Sequence, residues 1–532
     1  MKRLTVVVTA AVAAGTLAAT PVGLAAASPG TRASTAAAAT SVAWGTCTDP
    51  TLQQAHAQCG TVTVPMDYAN PGGGTVKLAV SRVLHTVPAS RYQGVMLVNP
   101  GGPGGSGLIY SILGGFVPGG AGNAYDWIGF DPRGVGSSRP ALSCDPNYTA
   151  GPRPPYDPVS HGTVNAWLAK AAGYARACGR AGGALLTHLT TVDSARDMDS
   201  IRKALGAGKL NFYGFSYGTY LGQVYATLYP DKVRRFVLDS NVDPRGVWYQ
   251  DNLGQDRAFE VVLTRFFGWI AKYDATYHLG TTEHAVEQQW YDAKDKLQHD
   301  PAGGVVGAAE WTDIFTGAGY VQFMWPDLAK LFSGWVHTPN SKTLVDAYNG
   351  SASVGDDNGY AMYLGVQCVD APWPHSWSTW KRDNTRVAKQ APFLTWSNAW
   401  FNEPCRVWPA AAHERVHVDG RDVPPILLVD ETLDAATPYP GSLEVRRRFP
   451  EASLIALPGG TNHAFSLSGN TCLDSKIAAY LADGTLPDRK AGSGADATCA
   501  PLPQPVPSAA SASTSTGGAT RAPMRARLAV LR

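Results

Sequence analysis

Leu210-Asn211-Phe212-Tyr213-Gly214-Phe215-Ser216-Tyr217-Gly218 is the stretch on which the reading of this chain turns. An apolar run that fits a buried strand passes through Gly-x-Ser-x-Gly into a helix-forming stretch from Thr219 to Tyr229, which Pro230 closes. A strand that reverses this sharply into a helix brings the residues two before and two after the serine together, so both must lack a side chain. The hydroxyl of Ser216 is thereby lifted to the edge of the sheet as a candidate nucleophile. A serine hydroxyl is a weak nucleophile, so this reading requires a base and an acid that orients it, expected downstream in the order Asp or Glu, then His.

Both follow. Pro425-Ile-Leu-Leu-Val429 reads as a buried strand and runs into Asp430-Glu431-Thr-Leu-Asp434-Ala-Ala-Thr-Pro438. Leu454-Ile-Ala-Leu457 reads as another and runs into Pro458-Gly-Gly-Thr-Asn-His463. The 29 residues between Asp434 and His463 accommodate one helix, near Tyr439 to Phe449, and one strand. Asp434 is the expected acid, with Asp430 and Glu431 as substitutes because they stand nearer the strand end, and His463 is the expected base. Upstream, Gly94-Val-Met-Leu-Val-Asn99 stops abruptly in Pro100-Gly-Gly-Pro-Gly-Gly-Ser-Gly107, a loop that is nearly all backbone. Such a loop can approach a ligand closely and present N–H donors to a developing oxyanion. It lacks the Gly-Lys-Ser/Thr ending of a phosphate loop. In Trp127-Ile-Gly-Phe-Asp131-Pro-Arg133, the charged pair reads as a loop pin and not as a reacting group.

With 44 Lys and Arg against 42 Asp and Glu in 532 residues, the net charge of +2 supplies no basic field for nucleic acid or an anionic membrane. Hydrophobic residues make up 44% and charged ones 16%, so the chain can bury a large core. Lys2 and Arg3 before the apolar run Leu4 to Leu17, followed by Ala25-Ala26-Ala27, form a secretory signal layout over 1–27. No stretch is long and apolar enough for stable membrane insertion. Residues 28–40 read as a leader, and 501–532, rich in Pro, Ser, Thr and Ala, as a disordered tail. Export makes the eight cysteines a disulfide set, and their order pairs Cys47 with Cys59, Cys144 with Cys178, Cys368 with Cys405 and Cys472 with Cys499. His413-Glu414-Arg415-Val416-His417 matches the H-E-x-x-H of zinc peptidases. Its only possible helix, Ala410 to Val418, is cut short by Pro409 and Asp419-Gly420, and no third ligand stands out. No metal and no cofactor are therefore expected.

These motifs together resemble those of secreted actinobacterial tripeptidyl aminopeptidases, relatives of proline iminopeptidases within the α/β-hydrolases. The similarity runs in order through the glycine loop at Asn99, Asp131-Pro-Arg-Gly, Tyr213-Gly-Phe-Ser-Tyr-Gly-Thr, Leu238-Asp, Leu433-Asp-Ala-Ala-Thr-Pro and Gly460-Thr-Asn-His, over about residues 45 to 499. It departs at Asp239-Ser240-Asn241, where a glycine is expected after the aspartate and where little is expected to depend on the difference. The resemblance implies an α/β fold with a mostly parallel central sheet, Ser216, Asp434 and His463 as catalytic triad, and the N–H groups of Gly102 and Tyr217 as oxyanion hole. It further implies removal of short peptides, commonly tripeptides, from free N-termini of peptides or proteins by a secreted enzyme; a monomer is expected. Alternatives are a prolyl or dipeptidyl aminopeptidase, an esterase or lipase of the same fold, or a catalytically silent cell-envelope binding protein.

The expected organisation is a first core segment 41–244, a mainly helical lid 245–420 and a second core segment 421–500. The lid is inferred because about 185 residues separate two consecutive core strands, far beyond an ordinary connection. Twelve of the fifteen tryptophans fall there, most of them expected as the lid's own core and a few as cleft lining. An aminopeptidase must also recognise an ammonium group, and Asp370 and Glu403, each near a lid cysteine, are the candidates.

Overall fold

A computed structural model describes residues 42–507. The signal segment 1–27, the leader 28–40 and tail residues beyond 507 lie outside these described residues. Ten strands form one sheet: β1 (Gly45–Thr46), β2 (Gln58–Pro65), β3 (Thr75–Val83), β4 (Val95–Asn99), β5 (Asp126–Phe130), β6 (Leu210–Phe215), β7 (Val233–Asp239), β8 (Leu427–Glu431), β9 (Ser453–Leu457) and β10 (Ala497–Thr498). Their spatial order is β1-β2-β3-β5-β4-β6-β7-β8-β9-β10. The pairs from β1 through β3 to β5 are antiparallel, and every pair from β5 onward is parallel.

The two halves of the sheet carry different sequence patterns for a physical reason. In β2 the buried Val62 and Val64 alternate with exposed Thr61 and Thr63, as in a strand with one wet face. β4 and β6 are buried at every position, because helices cover both faces. Val95 and Leu97 point into the cluster that holds Met198, Tyr220 and Val224, whereas Met96 and Val98 point into the one that holds Leu473, Ile477 and Leu481. The first cluster brings in helices Thr191–Ala204 and Tyr217–Leu228, and the second helix Thr471–Asp483.

Between β7 and β8 the chain leaves the sheet and forms a run of helices from Tyr249–Lys272 to Thr395–Asn402. Trp269, Trp290, Trp311 and Trp325 are buried with Phe266 and Phe315 in a core that belongs to these helices. At about 1.5–3 kcal/mol for a fully buried large apolar side chain, burial in that cluster accounts for these four tryptophans without any ligand role. The later part of the insertion behaves differently: Leu364, Val369, Trp373 and Trp380 join the cluster that contains Leu97 and Leu238 of the sheet. All described residues belong to one compact unit, so the insertion is an integral cap. Disulfides join Cys47–Cys59, Cys144–Cys178, Cys368–Cys405 and Cys472–Cys499. Residues 501–507, read from the sequence as the start of the tail, are held against the cap. Gln322 Nε2 donates to the carbonyls of Leu502 and Pro503, and Trp269 Nε1 to that of Pro505. A proline-rich segment has few N–H donors but keeps its carbonyls, and those are what the cap uses.

Arg133, just after β5, is fully buried against Asp197 with nitrogen–oxygen distances of 2.8 and 2.7 Å, and it donates also to the carbonyls of Met66 and His188. Asp197→Ala strands this guanidinium in the core. The expected loss is about 3–5 kcal/mol of stability, read as the shift in a urea unfolding curve.

Candidate active site

The turn after β6 is built by close backbone contact. Ser216 sits at φ 56° and caps helix Tyr217–Leu228. A Cβ on Gly214 would lie 2.6 Å from the carbonyl oxygen of Gly218, and one on Gly218 would lie 2.6 Å from that of Asn99. Backbone cannot yield as a flexible side chain can, so both positions exclude every residue but glycine. The glycine loop after β4 closes on the same spot: Gly101, at φ +99°, approaches so tightly that a Cβ would meet Ser216 Cβ at 2.8 Å. Asn99 Oδ1 accepts from Gly101 N at 3.0 Å, and Asp131 clamps the far end by accepting from Ser106 Oγ at 2.6 Å, Gly107 N at 2.9 Å and Ser137 N at 2.7 Å. Burial raises the Asp131 carboxyl and these donors oppose the shift.

His463 stands in the loop after β9. Its Nδ1 lies 2.8 Å from Asp434 Oδ2 and 3.0 Å from Oδ1. Asp434 Oδ1 also accepts from Ala436 N at 2.9 Å and Thr437 N at 3.0 Å, and Oδ2 from Thr437 Oγ1 at 3.1 Å. The turn after β8 thus folds the carboxylate into a ring of donors. The two neighbouring acids have other tasks. Asp430 accepts from Ser442 Oγ at 2.6 Å, and burial beside Asp434 holds its carboxyl far above the ordinary range. Glu431 accepts from Asn462 N at 2.6 Å, and burial pushes it up to about 8.

Ser240 has more influence than the sequence implied. It stands where the resemblance led to a glycine, adopts φ 66°, and its Oγ accepts from Ala464 N at 2.6 Å, directly after His463. Asp239 Oδ2 accepts from both N and Oγ of Ser466, at 2.9 and 2.6 Å. From the other side, His463 N donates to the Tyr320 carbonyl at 2.7 Å and Asn462 Oδ1 accepts from Gln322 N at 3.0 Å. The histidine loop is therefore held by the core and by the cap together.

The sequence matches the alpha/beta hydrolase fold model over residues 94–460. The chain belongs to the α/β-hydrolase fold family. It is 42% identical over 477 residues to the tripeptidyl aminopeptidase of Streptomyces lividans, covering 87% of this chain and 88% of that one. The serine protease Hip1 of Mycobacterium tuberculosis is 30% identical over 456 residues, covering 81% of this chain and 86% of its own. Carboxylesterase B of the same organism is 33% identical over 469 residues, covering 84% and 88%.

In this α/β-hydrolase, Ser216, His463, Gly102 and Tyr217 all border one cavity of about 1390 Å³ between sheet and cap, above the roughly 300–1,000 Å³ of small-molecule clefts. Trp248 and Trp400 of the cap and Trp167 of the core also line it, with Tyr148, Tyr320 and Phe401. Asp370 and Glu403 are not brought to it. Asp370 is buried beneath the serine turn, where it accepts from Thr191 N at 2.6 Å, Thr191 Oγ1 at 2.5 Å and Trp248 Nε1 at 3.3 Å. Glu403 is fully buried against Arg406 Nε at 2.5 Å. Burial pushes both carboxyls to about 7. A position near a disulfide cysteine does not reveal which way a helix faces, and here it faces inward. His413, Glu414 and His417 lie exposed on chain without helical structure, where the sequence allowed a short helix. The spacing therefore cannot stack the imidazoles on one face, and no group of three potential metal ligands meets among the described residues.

Glu431 supplies a pH test. Its carboxyl is raised from 4.5 to about 8 on folding, so the folded protein binds its proton more tightly than the unfolded chain. That stability is complete below the unfolded value and is lost as pH rises through the folded one. Glu431→Gln is expected to flatten part of the decline in urea midpoint between about pH 5 and 8. An unchanged slope would assign the decline to other buried acids.

Proposed function

We propose that this α/β-hydrolase is a secreted serine exopeptidase that releases short peptides, tripeptides foremost, from the free N-termini of peptides and proteins. The reading is carried by the placement of His463: its Nδ1 is committed to Asp434, which leaves Nε2 for proton exchange with Ser216 on the same cavity. The relatives named as tripeptidyl aminopeptidase and serine protease support a peptide substrate, and the size of the cavity agrees with one. Four disulfides are in keeping with an oxidising compartment.

In the proposed reaction His463 takes the Ser216 proton as Oγ attacks the scissile carbonyl. The negative oxygen of the tetrahedral intermediate is received by the N–H groups of Gly102 and Tyr217. Protonated His463 gives its proton to the leaving amine, the shortened peptide departs, and the acyl group stays on Ser216 as an ester. Water then attacks that ester, losing a proton to His463, which returns it to Ser216 Oγ as the tripeptide leaves. Asp434 holds the imidazole in the tautomer that keeps Nε2 free to accept and stabilises the imidazolium that forms.

Ser216→Ala should lower turnover by about 10⁶-fold with the fold intact, and retention of more than about a thousandth of the activity would contradict the assignment. Asp434→Asn should cost about 10⁴ in kcat, because the amide favours the wrong tautomer. Asp430→Asn should stay within several-fold of the parent. The substrate class is tested with mono-, di- and tripeptidyl p-nitroanilides, each free and N-acetylated, alongside p-nitrophenyl esters. The free tripeptidyl compounds are expected to be cleaved fastest. Esters turned over while every peptide remains intact would favour the carboxylesterase reading that one relative's name carries.

A further inference from the structure

A peptide that enters with a free N-terminus brings a positive charge into the cavity that Ser216 borders, and that charge needs a carboxylate that no cation of the protein has taken. Among the described residues five aspartates border this cavity. Asp243 accepts from Arg245 N at 2.9 Å and pairs with its guanidinium at 2.6 Å. Asp313 is held by Arg153 at 2.5 Å and by the Tyr156 hydroxyl at 2.8 Å. Asp357 accepts from Ser143 Oγ, Cys144 N, Asp145 N and the Tyr174 hydroxyl. Asp356 has no ion pair among these residues, but it is exposed on a turn and accepts from Asn358 N at 3.0 Å, so water solvates and screens it.

Asp251 is different. It stands in the first turn of helix Tyr249–Lys272, half-buried on the cavity wall. Its Oδ2 is buried without a hydrogen-bond partner, and no ion pair reaches the carboxyl among the described residues. The two arginines whose charge it feels are engaged elsewhere: Arg245 with Asp243, and Arg415 through Nη1 with the carbonyl of Arg245. Burial, and then the charge of Asp243, outweigh both arginines and hold the carboxyl well above the ordinary range. Neighbours on two sides set where it stands. Oδ1 packs against Gly246, on which a Cβ would lie 1.8 Å away. Trp248, immediately before the helix, holds its ring 5.9 Å from that of Tyr217, the neighbour of Ser216, and 5.1 Å from that of Tyr220. Asp251 follows Trp248 by three residues, about 4.5 Å along a helix axis. Three extended residues span about 10 Å, so this first turn lies within a tripeptide's reach of the serine turn.

We propose that Asp251 receives the α-ammonium group of the peptide substrate. The ammonium group brings three N–H donors, and Asp251 is the carboxylate on this wall that has neither a donor nor a paired cation. Rotation about its Cβ–Cγ bond, a soft torsion, turns Oδ2 toward the cavity. A carboxyl kept neutral while the site is empty ionises when a cation arrives, so the negative charge appears only when it is matched. The assignment rests on the exopeptidase reading above and takes the place of Asp370 and Glu403, which are buried away from the cavity.

Asp251→Asn keeps the shape and removes the charge. The quantity to measure is the ratio of kcat/KM on a tripeptidyl p-nitroanilide with a free N-terminus to that on its N-acetylated form. The variant is expected to lower this ratio on the order of 30-fold, mostly through KM. Asp356→Asn, which removes the exposed carboxylate of the same cavity, is expected to leave the ratio within twofold of the parent. A ratio within twofold for Asp251→Asn overturns the proposal, and so do equal losses on both substrates, which would mark Asp251 as structural. A loss of the ratio in Asp356→Asn as large as that in Asp251→Asn overturns it as well, because the cavity's overall charge would then account for the preference. Gly246→Ala keeps the charge but drives Oδ1 from its place, and it should lower the same ratio several-fold. If Asp251→Asn does not fold, Gly246→Ala decides, and an unchanged ratio there overturns the proposal. A parent enzyme with no preference for free N-termini would refute the exopeptidase reading itself, and this assignment with it, before any variant is compared.

Discussion

The contact on which this structure depends is between backbone and backbone. Strand β6 ends, the chain reverses, and helix Tyr217–Leu228 begins so close to β4 that Gly218 rests against the carbonyl of Asn99. The next residues of that neighbouring strand form the glycine loop, and Gly101 lies against Ser216 from the other side. Two parallel strands at the centre of the sheet thus deliver a hydroxyl and a set of N–H donors to one place. The cost is a serine in the left-handed region, a strain of about 1–3 kcal/mol that the surrounding packing sustains.

Everything else at the site is arranged around that fixed point, and it comes from the ends of three further strands. β7 contributes Asp239 and Ser240, which grip the backbone on the far side of His463. β8 contributes three carboxylates with three different partners: Ser442 for Asp430, Asn462 for Glu431 and His463 for Asp434. These acids share a small volume away from water, and mutual repulsion together with desolvation favours neutral forms for the first two. The third accepts from three N–H or O–H donors besides facing the imidazole, so its oxygens are the ones solvated by the protein.

Much of this is legible in the sequence because the physics is local. A strand, two obligatory glycines and a helix follow each other within about twenty residues around Ser216, and buried strands that end in loops announce Asp434 and His463. What escapes is orientation over long separations. Asp434 is the expected acid with Asp430 and Glu431 as substitutes, and only the turn after β8 shows which of them meets the imidazole of His463. Asp370 and Glu403 occupy promising positions in the chain, yet their helices turn them inward. Ser240 looked incidental because its partner, Ala464, is 224 residues away.

The glycine loop ties the serine turn to the cap. Gly104 packs against the cap, where a Cβ would meet the carbonyl of Gly359 at 2.4 Å, while three residues earlier the same loop touches Ser216. The cap also holds the histidine loop through Tyr320 and Gln322. A displacement of the cap would therefore pull on the glycine loop and on the histidine loop together. Cap, glycine loop and histidine loop thus form one mechanical unit, in which the element that roofs the cavity also sets the position of the groups beneath it.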